Sequence, residues 1–163
     1  MLFPTHLVIA ALVARRRFPV VWAVAGAALP DLVDKPLAMI GVTTFYHSVA
    51  HSVLFGIPIL AVWLVVRTTS RGRVMRIVQA GAVGWASHLA ADAVHLSLNG
   101  RPSNTVFLLW PLVSEWDSIE AGPGPFVVQY VGTPSFYLEA GIWAVAGYLL
   151  FQWQYSRTAA AKS

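Results

Sequence analysis

GWASHLAADAVH, residues 84–95, lies inside a long apolar stretch yet carries His88, Asp92 and His95. Offsets of four and then three residues place all three side chains on one stripe of a helix. Ionisable groups in apolar surroundings are costly unless they pair, bind a cation or line a polar path. A helix that buries such a stripe needs neighbours that bring compensating groups.

The composition sets the frame. Of 163 residues, 57% are hydrophobic and only 11% charged, against about 25% charged in soluble domains. Mean hydropathy is +0.64, so the chain reads as a single integral membrane domain spanning 1–163. The arginines at 15–17 follow the first apolar stretch instead of preceding it, and no small-residue cleavage site is evident, so the start does not read as a signal peptide. There is no cysteine; any metal would have nitrogen and oxygen ligands only.

Apolar segments run over 7–14, 18–29, 49–66, 74–98 and 136–153. The last three approach the roughly 20 residues that cross a bilayer. The first two are too short and read as a helical hairpin turned by Arg15, Arg16 and Arg17. The expected fold is therefore all-α, a polytopic membrane helical bundle. Residues 99–134, including the Pro- and Gly-rich NGRPSNTVFLLWPLVSEWDSIEAGPGP, are expected to form an outer-face cap.

Alternating the segments puts nine of the eleven basic residues on one side: Arg15, Arg16, Arg17, Arg67, Arg71, Arg73, Arg76, Arg157 and Lys162. All seven acidic residues, Asp31, Asp34, Asp92, Glu115, Asp117, Glu120 and Glu139, fall toward the other. By the positive-inside rule the arginine side is cytoplasmic in a multi-pass cell-membrane protein. The net charge of +4 is then a topology signal, and no nucleic-acid partner is needed to explain it.

All five histidines fall at the outer ends of their segments. Counted from the nearest arginine cluster at ~1.5 Å per residue, Asp31, His51, His88 and Asp92 lie roughly 18–24 Å up. His6 lies about 14 Å from Arg15 by the same measure. The pairs His47/His51, His88/Asp92 and Asp31/Asp34 can each present two ligands from one face. Each residue also has a plainer reading. Asp31 follows Pro30 and suits a helix start, Asp34 can pair with Lys35, His6 can sit in a first helical turn, and His95 can be an interfacial residue. Glu115 and Glu139 read as a polar rim.

The blocks Thr5-His6, ALPDLVDKP (28–36), YHSVAHS (46–52) and HLAAD (88–92) resemble the LexA-regulated, membrane-bound metal-dependent hydrolase family. Its pattern is an early His, Pro-Asp-x-x-Asp, His-Arg-x-x-Thr-His-Ser and His-x-x-x-Asp, and the match covers roughly residues 4–112. The resemblance implies an integral membrane hydrolase with His6, Asp31, Asp34, His51, His88 and Asp92 as metal ligands. The His-x-x-x-Asp block also looks like the zinc-binding helix of zinc-dependent phospholipases C, which points to phosphoesters. Two positions depart from the pattern. Tyr46-His47 stands where the family has His-Arg, and His95 where it has Thr; His47 is then a shifted ligand, a substrate contact or neither, and Asp34, His47 and His95 are the candidates to take the proton of a metal-bound water.

The expected cofactor is a divalent metal, zinc first and manganese next, and the expected partners are membrane lipids, with a lipid or lipid-linked phosphoester as substrate. A divalent-cation or proton transporter or channel is the main alternative, because such donor sets also serve transport. The apolar inner halves LAVWLVV and AVAGYLL weigh against it. Haem between His pairs is disfavoured by three nearby carboxylates, and a non-catalytic membrane scaffold is the plainest alternative.

Overall fold

The computed structural model describes residues 1–69, 72–116 and 123–160. Arg71, Asp117, Glu120 and Lys162, used above for topology, lie outside the described residues. Among the described residues the α-helices are, in order, α1 (Phe3–Ala14), α2 (Val20–Met39), α3 (Gly56–Thr69), α4 (Arg73–Leu98), α5 (Pro123–Tyr130) and α6 (Pro134–Ala160). Short 3-10 turns cover Val53–Phe55 and Pro102–Leu109. No strand occurs among the described residues, so the all-α expectation holds.

The N-terminal hairpin forms as expected, with Arg15–Arg17 in the turn between α1 and α2. Helix α2 runs ten residues beyond the expected end at 29, through Pro30 and Pro36. Each proline removes one ladder donor, but packing against α1 and α4 keeps the helix continuous.

The scaffold is the α2–α4 pair, with α1 against both. Its seam consists of small residues: Ala23, Gly26 and Ala27 on α2 face Ala80, Gly81 and Gly84 on α4. A Cβ built on Gly84 would meet the Ala23 carbonyl oxygen at 1.8 Å, and one on Gly26 would meet the Gly81 carbonyl oxygen at 2.1 Å. Only glycine permits this approach, and backbone contact of this kind is the typical use of small residues between apolar helices.

The spanning expectation is corrected. Among the described residues no helix is long and apolar enough to cross a membrane. The stretch 49–66 does not form one helix; residues 40–52 are irregular and α3 begins only at Gly56. Its 14 residues rise about 21 Å, short of a ~30 Å hydrocarbon layer. Helix α4 has 26 residues, but His88, Asp92 and His95 dilute its apolar character. The exterior is nevertheless apolar. Ile57, Leu60, Val62 and Val65 on α3, and Val145, Leu150, Phe151 and Trp153 on α6, are all exposed.

Candidate metal centre

Four chain segments deliver polar side chains to one buried point at the second halves of α2 and α4. Helix α1 brings His6, α2 brings Asp31, the 40–52 loop brings His47 and His51, and α4 brings His88 and Asp92. His6, Asp31, His51, His88 and Asp92 are all buried, while the His47 side chain is 39% exposed.

Asp92 lies at the middle. Its Oδ1 is 3.2 Å from His6 Nε2, and its Oδ2 is 3.1 Å from His88 Nε2, 3.7 Å from His51 Nε2 and 3.8 Å from His47 Nε2. Asp31 Oδ1 lies 3.6 Å from His51 Nε2 and 3.9 Å from His88 Nε2. The His6 and His88 rings stack with centroids 3.8 Å apart.

The far side of each key ring is fixed by a local contact. The seam brings the Ala27 carbonyl within 2.7 Å of His88 Nδ1, which donates to it. His51 Nδ1 donates to Asp34 Oδ2 at 2.7 Å. With both Nδ1 atoms protonated, the neutral rings turn bare Nε2 lone pairs toward each other across 3.1 Å. Such an arrangement is repulsive unless a cation or an added proton lies there. Burial disfavours a charged His51, but the neighbouring carboxylates of Asp31, Asp34 and Asp92 outweigh it and push His51 up to about 9.

Among the described residues, three overlapping groups could hold a metal ion: His6/His88/Asp92, Asp31/His51/His88 and His47/His51/Asp92. The donors fit a small divalent cation. Bonds of ~2.0–2.2 Å in tetrahedral array place ligand atoms roughly 3.3–3.6 Å apart; the shortest approaches here, 3.1 to 3.9 Å, straddle that value, and all ligand atoms of each group lie within 4.8 Å of one another.

Two expected site residues stand elsewhere. Asp34 is behind the centre, where its carboxylate accepts from the backbone N–H groups of Ser48, Ala50 and His51 as well as from the His51 ring. It shapes the loop that carries His51, and Trp85 Nε1, donating to the Ala50 carbonyl at 2.9 Å, pins the same loop. Lys35 pairs with Asp31 Oδ2 at 2.8 Å instead of with Asp34, as four-residue spacing on a helix allows.

His95 belongs to a second buried cluster. Its Nδ1 lies 2.8 Å from Ser135 Oγ, which also accepts from Asn99 Nδ2 at 2.8 Å. Beside it Glu139 is buried, not at a rim as its sequence context suggested. Its carboxylate accepts from Thr5 Oγ1, Tyr130 OH and the Leu2 backbone N–H. Burial and the Glu139 carboxylate push the Tyr130 phenol up. The sequence signals for Thr5, Asn99, Tyr130 and Ser135 were absent, because their partners lie up to 138 residues apart, as with Trp143 Nε1 donating to Thr5 Oγ1 at 3.0 Å.

The all-helical chain thus joins an apolar exterior to buried His/Asp groups that could hold a metal ion. The YdjM inner membrane protein family matches residues 1–160, and the chain belongs to that family. This agrees with the inner-membrane part of the resemblance drawn from the motifs. No curated protein and no solved structure matches the chain.

Proposed function

We propose that the protein is an inner-membrane, metal-dependent hydrolase acting on a lipid or lipid-linked phosphoester. The observation that carries this reading is the pair of imidazole Nε2 atoms, of His51 and His88, held 3.1 Å apart with Asp31 and Asp92 around them. His6, Asp31, His51, His88 and Asp92 hold the cation, and Asp34 positions His51. Zinc suits this nitrogen and oxygen donor set, with manganese next. A cation bound there supplies a Lewis acid for the scissile oxygen and acidifies an attacking water.

The remaining chemistry falls to the chain. His47, the partly exposed member, lies at the mouth of the centre and takes the proton of the attacking water as general base. Asp31, tied to Lys35, and Asp92, shared among four imidazoles, keep the donors aligned. In this reading the apolar exterior faces lipid and the arginine turns are cytoplasmic, so a lipid substrate reaches the centre sideways.

Elemental analysis of the detergent-purified protein tests the first part. Wild type is expected to carry a stoichiometric divalent metal, and Asp92→Ala none, while still inserting into the membrane. A phosphoester-lipid hydrolysis screen with and without chelator tests the second. Metal retained by Asp92→Ala ends the ligand assignment. Chelator-insensitive turnover, or cation uptake into liposomes without turnover, ends the hydrolase reading.

A further inference from the structure

The opposite end of the α2–α4 pair holds a cationic cleft that the proposed chemistry leaves unused. It encloses about 490 Å³ and is lined by Pro19, Trp22, Gly72, Arg73, Arg76 and Ile77. Arg73 and His88 are 15 residues apart on α4, or about 22 Å of helix, so cleft and metal centre are separate.

Arg76 Nη2 donates to the Arg17 carbonyl at 3.3 Å and so joins α4 to the α1–α2 turn, where Arg15, Arg16 and Arg17 are exposed. Among the described residues, none of these five arginines has a carboxylate within ion-pair distance. Clustered guanidinium groups without counter-charges attract anions, and their planar forks match phosphate oxygens. The same cleft has an apolar wall. Trp22 is exposed, Ile77 is half-buried, and Val21 and Val74 extend the apolar surface beside them. An indole next to paired arginines suits the headgroup layer, where Trp is enriched and basic pockets between helices hold anionic lipids.

The geometry points to a binding site for the phosphate headgroup of an anionic phospholipid, formed by Arg73, Arg76 and Trp22. The guanidinium groups bind the phosphate, while Trp22 and Ile77 lie along the glycerol and the upper acyl chain. A free anion would use the arginines but gain nothing from the apolar wall.

Native mass spectrometry of the full-length protein in detergent, titrated with phosphatidylglycerol or phosphatidylcholine of identical chains, tests the site. Phosphatidylglycerol is expected to bind selectively, and Arg73→Gln/Arg76→Gln to weaken it about 30-fold with metal content unchanged. The control Arg67→Gln/Arg157→Gln removes as much charge elsewhere and is expected to change binding less than about threefold. Because Arg76 also tethers the hairpin, Arg73→Gln alone serves as a second variant, expected to weaken binding about fivefold. Equal binding of the two lipids overturns the proposal. So does equal loss in the cleft and control variants, which would indicate diffuse charge. Displacement of phosphatidylglycerol by inorganic phosphate at equal concentration would assign the cleft to free anions and also overturn it.

Discussion

One helical turn separates two buried polar clusters on α4, and they balance their donors and acceptors in opposite ways. Around Ser135 and Glu139 every group meets its complement. Asn99 donates to Ser135, whose hydroxyl proton is then free for His95, and three donors converge on the Glu139 carboxylate. Around Asp92 the His51 and His88 imidazoles are tied back through Nδ1 and turn Nε2 inward, while His6 Nδ1 is buried without a partner among the described residues. A closed network of the first kind needs no ligand and joins α1, α4, α5 and α6. An open one of the second kind is stable only with added positive charge, because like lone pairs and carboxylates in an apolar interior repel.

The contrast can be broken most severely at the seam. Gly84→Ala places a Cβ against the Ala23 carbonyl. It is expected to cost about 3 kcal/mol, and also to lower metal content by moving Ala27 away from His88. A thermal melt in detergent together with metal analysis reads both. An unchanged melt would contradict the close α2–α4 approach.

A smaller effect sharpens the comparison from the side of the centre. Asp34→Asn leaves the ligands in place but weakens the hold on His51 and its loop. Metal affinity is expected to fall 10–100-fold, the usual loss for a partner behind a ligand, as measured by competition with a chromophoric chelator.

The closed cluster should behave differently. Glu139→Gln disturbs three hydrogen bonds and is expected to cost about 2 kcal/mol of stability without altering metal stoichiometry. Loss of metal there would merge the two clusters into one site. The smallest change is expected from His95→Ala, about 1 kcal/mol, since Asn99 still serves Ser135. A chelator-sensitive activity that vanished with His95→Ala but survived His47→Ala would reverse the roles given to these two histidines.

Part of the centre was legible along the chain because two of its candidate ligands form a helical pair. His88/Asp92 repeats at one turn, and the apolar context of α4 marks the pair as unusual. The arginine turn at 15–17 likewise marked the α1–α2 hairpin. The division of labour between Asp31 and Asp34 was not legible. Both lie on the same face of α2, and only the path of the 48–51 backbone sends one to the centre and the other behind His51. Glu139 read as a rim residue because its three donors come from α1 and α5, at separations no local pattern records.

From the order of residues alone came an all-helical chain, its apolar character and the residue types able to bind a cation. These follow from composition and from periodicity, which act through neighbours one or two turns away. The tertiary structure alone decided which imidazole nitrogens face one another, which carboxylates stand between them and which histidine belongs to another network. Those choices depend on how closely two glycine-lined backbones approach, a distance set by packing between segments and not by the order of residues within them.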